Sequence, residues 1–421
     1  MGSFSIPLSG LLASEEDLGI ISNNLANLNT TGFKGSTANF SDLVYEQLGS
    51  SVAGDPIQTG LGTQIGSTGI NFTQGSIENT GVNTDVAIQG NGFLEVQNNG
   101  LTLYTRNGNL SVNSNGYLVA QDGSKVMGFG AVNGVVNASG STVPLQINPG
   151  QTSPAQATQN VTVNLNLDAS SSSGSTFSVP VSVYDSLGNS HVLTFNFTNN
   201  GSNSWAYTVT LPAADVTASP QPTSQVTLSS GTLTFDGNGN LTSPAKDVTG
   251  ITLPSGTTLA DSANTPTFNW NLYDSSNAPV VTQVAGASAA SSTEQDGYAA
   301  GTLQSFSIKQ DGTIQGSFSN GQVSKLGQIA LATFPSEEGL LQTGNDNFVA
   351  TLASGLPTVG VAGTGGLGTL QSGALEGSNV DISNEFSKLI VAQQDYQANA
   401  RAFDIESGVF SQSTLTLGIA Q

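Results

Sequence analysis

Apolar residues recur every seven positions near both ends of this chain, and every second position through much of what lies between. Near the N-terminus Leu11, Leu18 and Leu25 hold the heptad, with Ile21 and Leu28 offset between them. Near the C-terminus Ile382, Leu389, Tyr396, Phe403, Phe410 and Leu417 do the same, and Phe386, Gln393, Ala400, Ser407 and Thr414 fill the alternate seam positions. A 3-4 spacing kept this long predicts helices that pair in coiled-coil fashion. The first is expected over 8–28, closed by Asn29-Thr30-Thr31-Gly32, where glycine supplies a left-handed stop. The second is expected from Asp381, which with Ser383 and Glu385 places capping oxygens and negative charge at its start. Gly408 inside it costs about 1 kcal/mol relative to alanine and weakens the last turns.

From about residue 71 the period switches to two. Val86 and Ile88, then Phe93, Leu94 and Val96, flank the Gly90-Asn91-Gly92 turn, and Leu118-Val119 precede Asp122-Gly123, a hairpin signal. Val161, Val163, Leu165 and Leu167 alternate cleanly. So do Phe177–Val183, Leu193–Phe197 and Trp205–Leu211, with turns about every ten residues, which predicts a sandwich or barrel. Residues 35–70 are ambiguous, with Phe40, Leu43, Val44 and Leu48 hinting at a helical turn or two before a Gly-rich loop. Ser170–Ser175 reads as a flexible loop, 285–293 as a domain boundary, and Gly360–Gly368 as a Gly-rich linker. The fold class is multidomain and mainly β, with long terminal α-helices.

Composition narrows the partners. The 421 residues hold 8 Lys+Arg against 29 Asp+Glu, a formal charge of −21, which opposes binding to nucleic acid or anionic membrane. No apolar run approaches the ~18 residues that span a bilayer, and the first fifteen lack the basic and apolar regions of a signal peptide. Cysteine is absent, which excludes disulfides and thiolate metal sites. Only 9% of residues are charged, far below the usual ~25%. A polar but non-ionic surface suits extracellular β-rich proteins and packed polymers.

Candidate chemistry is thin. His191, the single histidine, sits in Tyr184-Asp-Ser-Leu-Gly-Asn-Ser-His191, a turn between strands, and has no partners for a catalytic triad or a His-rich metal site. Asp236-Gly-Asn-Gly-Asn240 with Asp247 echoes a calcium loop, but Leu241 occupies the position that needs glycine, so a hairpin turn is the better reading. Gly363-Thr-Gly-Gly-Leu-Gly368 lacks the βαβ context of a dinucleotide site. No enzyme, cofactor or metal is expected. The near-continuous apolar seams of the two helices need other helices to cover them, most economically those of neighbouring copies.

Several strings, in order along the chain, resemble the bacterial flagellar rod and hook proteins. Ser22-Asn-Asn24-Leu-Ala-Asn27-Leu-Asn-Thr-Thr-Gly32-Phe33-Lys34 is similar to their N-terminal motif. Ala374-Leu-Glu-Gly-Ser378-Asn379-Val380-Asp381 and Ala392-Gln-Gln-Asp-Tyr-Gln397-Ala-Asn399-Ala-Arg401 are similar to their C-terminal motifs, and Asp85–Phe93 and Tyr104–Gly108 to their shared β domain. A long insertion over about 146–284, carrying Val183–His191, resembles the hook branch and not the shorter distal rod.

The resemblance implies nested domains: terminal helices at 1–34 and 372–421, connectors at 35–71 and 361–371, a middle β domain at 72–145 and 285–360, and an outer β domain at 146–284. It implies a self-polymerising subunit of a curved tube that joins rod to filament and transmits torque. It further implies export through the flagellar type III apparatus without a cleaved signal, and contact with distal rod, hook cap and hook–filament junction proteins. The alternatives are a distal-rod-like axial protein, or a secreted β-rich adhesin using Trp205, Tyr207 and Trp270 as binding aromatics.

Overall fold

The alternating segments are strands wherever one face meets a core. The structure, a computed structural model, describes residues 5–50, 56–148 and 150–418, and the side chains at 48–50, 56–57, 410–411 and 413–418 fall outside that description. Phe410 and Leu417 of the predicted seam are among the latter. The chain divides into two compact units, one of 1–149, 305–316 and 324–421, the other of 150–304 and 317–323. Among the described residues no helix is long and apolar enough to cross a membrane.

The second unit contains a β-sandwich. One antiparallel sheet runs in the order Thr176–Tyr184, Ser190–Gly201, Ser204–Pro212, Gln225–Phe235, Leu241–Ser243. The other centres on Asn160–Asp168, which pairs in parallel with Thr267–Asn271 and Val281–Val284 and antiparallel with Ala289–Gln295. Along Asn160–Asp168 every second residue is buried, as its alternation predicts. The inward rows of both sheets meet in one core. Trp270 is wholly buried there, with the rings of Phe195, Phe197 and Tyr207 at centroid distances of 5.1, 6.0 and 5.1 Å. Trp205 and Tyr207 are buried too, so these three aromatics form core and offer no exposed platform.

The first unit holds an antiparallel sheet in which Val323–Thr333 pairs with Lys125–Val132, which pairs with Phe93–Asn98, then Leu101–Thr105, Asn347–Val349 and Leu341–Gly344. Phe93, Tyr104, Phe334 and Phe348 cluster on it, with edge-to-face pairs such as Tyr104–Phe334 at 4.8 Å. Two helices belong to this unit, α1 over Ser5–Ala26 and α2 over Ile382–Gly418.

Several expectations are corrected. Among the described residues of 35–70 there is no helical turn. Ser36–Asp42 pairs with Thr63–Ile70 as a two-stranded ribbon largely exposed on both faces, and Tyr45–Ser50 pairs with Pro56–Gly60. Without a buried face such ribbons carry no periodic signal. The supposed boundary 285–293 includes strand Ala289–Gln295 of the sandwich, so the chain returns to the first unit nearer 305. Gly360–Gly368 is no loose linker: Gly363 N–H donates to the Gly368 carbonyl at 2.8 Å, and Gly368 N–H to that of Asn91 at 2.7 Å. Ser170–Ser175 is likewise anchored, with Asn199 Nδ2 donating to the Ser171 carbonyl at 3.0 Å. The turn at Asp236 is, as expected, a hairpin turn, its carboxylate accepting the N–H groups of Asn238 and Asn240 at 2.8 Å each. Gly408 does not interrupt α2.

The core makes a direct prediction. Trp270→Ala should cost about 3–5 kcal/mol, measured by urea unfolding of the full chain. The Trp270 indole N–H has no hydrogen-bond partner. Trp270→Phe removes that orphan with the ring area largely kept and should therefore cost much less.

Candidate assembly interface

Gly10 lies against Asn399 and Asn24 hydrogen-bonds Glu385, which makes α1 and α2 an antiparallel pair. A Cβ at Gly10 would sit 2.8 Å from the Asn399 amide oxygen, so a larger residue there would push the Asn399 side chain out of its place in the seam. The stripe that α1 buries is Pro7, Gly10, Ala13, Ser14, Ile21 and Asn24. Its partners on α2 include Ala392, Asn399 and Glu385.

The predicted seam is therefore right in period and displaced in phase. Leu389, Tyr396, Ala400 and Phe403 are half-buried, but the row between them is Glu385, Ala392 and Asn399, one residue before Phe386, Gln393 and Ala400. Ile382 and Phe386 are exposed instead, at 47% and 45%, as are Ile390, Val391, Ile405 and Val409. On α1, Ile21 is buried and Leu11, Leu18 and Leu25 are half-buried, while Leu8 and Leu12 face outward; Leu28, also half-buried, lies past the helix end. The physical reason is close approach: small and amide-bearing residues fill the intrachain seam, and the bulky apolar row is left on the outside. A groove of about 830 Å³ beside the pair is lined by Ile6, Gly10, Phe40, Val391 and Ala398.

The motif residues converge where α1 ends and α2 begins. The helix stops at Ala26, earlier than expected. Asn27 shapes the turn that follows, accepting the Thr30 hydroxyl at 3.1 Å. Gly32 has φ of +74° but is not the helix stop; it lets the chain pass against the Arg106–Asn107 backbone, and its N–H donates to the Glu376 carbonyl at 2.7 Å. Phe33 is buried. Asn24 Nδ2 donates to Glu385 Oε2 at 3.1 Å and to the Ser36 carbonyl at 2.8 Å, and its Oδ1 accepts the Ser36 N–H. Asn379 Oδ1 accepts Gly35 N–H at 2.9 Å, and its Nδ2 donates to the carbonyls of Asn71 and Thr73. The Ser378 hydroxyl accepts Val380 N–H, and a Val380 methyl packs on Gly35. Asp381 caps α2, accepting Asn384 N–H at 2.8 Å. Asn399 belongs to the helix seam, and Gln397 is exposed and joins neither group.

The centre of this junction is Glu376, which no sequence argument had singled out. Its side chain and that of Lys34 are fully buried, and Arg106 is 2% exposed. Lys34 Nζ donates to Oε1 at 2.7 Å and to the Thr73 carbonyl at 2.8 Å. Gly75 N–H donates to Oε1 at 2.9 Å, and Arg106 Nη1 reaches Oε2 at 3.3 Å. Arg106 Nη2 donates to the Gly90 carbonyl, and its guanidinium lies 5.4 Å over the Phe93 ring. Burial pushes both cations below their ordinary pKa values, and the Glu376 charge opposes that shift. The available signal was that three of only eight Lys and Arg, Lys34, Arg106 and Arg401, fall inside family-like strings.

Four family models match the chain. The flagella basal body rod protein model covers 8–34, the flagellar hook protein FlgE/F/G D1 domain 87–166, the flagellar basal body protein FlaE D2 domain 175–298, and the flagellar basal body rod FlgEFG protein C-terminal 371–413. Flagellar hook protein FlgE of Salmonella typhimurium is 36% identical over 424 residues, covering 97% of this chain and 98% of that protein. That of Escherichia coli K12 is 35% identical with coverage of 97% and 98%, and that of Treponema pallidum 35% with 95% and 96%. Three of the four matched segments meet at one carboxylate, because Lys34, Arg106 and Glu376 each lie in a different one.

Removing that carboxylate tests the junction. Glu376→Gln leaves two buried cations with a neutral partner and should destabilise the first unit by about 3–5 kcal/mol. In hydrogen exchange, Gly32 and Gly75 amides should lose protection while the sandwich core keeps its own.

Proposed function

The chain belongs to the flagellar hook protein family and is a structural subunit of the hook, and from that premise we propose how its two helices build the tube. The observation that carries the proposal is the division of labour on α1 and α2. Small and polar residues serve the contact within one subunit, and Leu8, Leu12, Ile382, Phe386, Ile390, Ile405 and Val409 are left exposed. Burying one such side chain in a neighbour is worth ~1.5–3 kcal/mol. A handful per subunit supplies the association energy of a polymer. The half-buried Leu389, Tyr396 and Phe403 complete their burial in the same contact.

The subunit self-polymerises within the flagellar axial structure, outside the cell, in a structural and not a catalytic role. We assign it the curved, flexible segment between rod and filament, where subunit spacing must lengthen and shorten on each turn. Helices packed by apolar contact hold the wall, and weakly charged β surfaces slide. Its neighbours on this reading are distal rod, hook cap and hook–filament junction proteins, reached after export by the type III apparatus.

Assembly and folding should separate by mutation. Phe386→Asp and Ile390→Asp, both exposed in the isolated chain, should change its stability by no more than about 0.5 kcal/mol and yet abolish tubes in negative-stain microscopy. Added salt should promote tubes, because it screens repulsion between subunits that each carry −21. Tubes that dissolve as salt rises would place attractive ion pairs at the subunit contacts and overturn this account.

A further inference from the structure

His191 has both ring nitrogens against carboxylates. Nδ1 lies 3.2 Å from Asp215 Oδ2, and Nε2 lies 3.2 Å from Asp185 Oδ2 and 3.5 Å from Asp261 Oδ2. A neutral imidazole donates from one nitrogen only and would turn a lone pair toward the other carboxylate. The arrangement therefore suits the doubly protonated ring. The three acids come from three separate pieces of chain: the 185–189 turn before strand Ser190–Gly201, the short 3-10 turn Ala213–Asp215, and the loop after strand Thr258–Leu259. Asp185 is fully buried, and the other two side chains are partly exposed at 29% and 27%.

We propose that the His191 imidazolium is a proton-operated latch that fastens these three loops of the sandwich to one another, and that loss of its proton loosens them. The proposal does not depend on the assembly mechanism above. The charged groups paired with the ring are those three aspartates, and Asn189 is the neutral neighbour. Its Nδ2 donates to Asp185 Oδ2 at 3.3 Å and to Asp261 Oδ2 at 3.0 Å. The same two oxygens and Nε2 form a set that could hold a metal ion. The Asn189 amide hydrogens, however, are aimed at the oxygens a metal would take. With those hydrogens in place the cation of the cluster is the ring itself.

Burial alone would push the imidazolium down, but hydrogen bonds to Asp185 and Asp215, and their charges, outweigh it and hold the ring above its ordinary value. Stability from a raised histidine is fully present below the unfolded value, about 6.5. It is lost as pH rises through the folded one. Asp185 is shifted the opposite way. Its burial is outweighed by the hydrogen bonds it accepts from His191 and from the Asn189 and Leu187 backbone amides, which hold it at about 2. Its contribution is present above the ordinary value of 3.8 and lost as pH falls toward about 2. The latch is closed between those limits and opens on the alkaline side by way of His191.

With one histidine in the sequence, the full-length protein gives a single imidazole resonance. Followed by NMR from about pH 5 to about pH 9, it should titrate with a midpoint above the ordinary value. The melting temperature of the sandwich should fall over the same range by roughly 2–4 °C. Asp215→Asn should bring the ring's midpoint down, and His191→Gln should flatten the pH dependence of melting. A midpoint at or below about 6.5 overturns the latch, as does wild-type melting that ignores the titration. Stoichiometric Zn²⁺ binding with release of a proton in calorimetry also overturns it and makes the cluster a metal site. The wild-type titration decides the matter even where a variant does not fold.

Discussion

One buried carboxylate fixes the geometry of the helical end of this molecule. Glu376 closes a +2/−1 cluster with Lys34 and Arg106, and those three residues come from the segment after α1, the β sheet and the strand before α2. Burying charge is costly unless every donor is met. The cluster meets most of that demand through backbone as well as side chains, since Gly75 N–H donates to the carboxylate and Gly32 N–H to the Glu376 carbonyl, and it leaves only the buried Arg106 Nε without a partner. It therefore functions less as a source of net stability than as a register mark. Only one way of bringing the two chain ends together leaves no buried charge alone. Asn24, bonded to Glu385 and Ser36, and Asn379, bonded to Gly35, Asn71 and Thr73, extend the same logic with side-chain amides that join separate segments.

Once the register is set, the helices need little apolar contact with each other. Gly10 against Asn399, and Ser14, Asn24 and Ala392 along the stripe, give a close and weakly hydrophobic seam. Such a seam would be a poor coiled coil in isolation. It suffices because the helix ends are held by the cluster. Its consequence is that the bulky apolar residues stay available for other subunits, as the proposed assembly requires. A conventional leucine seam would have satisfied the pair internally and left nothing for a polymer.

This explains which parts of the structure were legible in the sequence. Asn160–Asp168 and its sandwich partners were readable because each strand has one wet face and one dry face, so burial writes itself into alternation. The ribbons Ser36–Asp42 and Thr63–Ile70 were not, because neither face is buried and no pattern is imposed. The helix heptads gave the right period and the wrong phase. They record the sum of an intrachain seam and an outward apolar row, and heptad spacing alone does not separate the two. Glu376 was invisible for a different reason. A buried ion cluster joins residues 34, 106 and 376, and no local periodicity marks such a contact. The terminal strings that resemble the family were legible as strings, but their chemical purpose emerged only when the three met in space.

The scarcity of cations ties these observations to the polymer. Of eight Lys and Arg, Lys34 and Arg106 are buried against Glu376, and Lys388 is paired with Glu385 in its own helix at 2.6 Å. Few remain to face the acids of another subunit. On the proposed assembly, electrostatics between copies is repulsive on balance and attraction comes from the apolar rows of α1 and α2. The two contributions differ in range. Screened charge acts over about 10 Å at ordinary salt, whereas apolar contact requires touching surfaces. A tube held by short-range contacts along its helices, with mild repulsion between its weakly charged β surfaces, has no specific ionic bond to break when it bends.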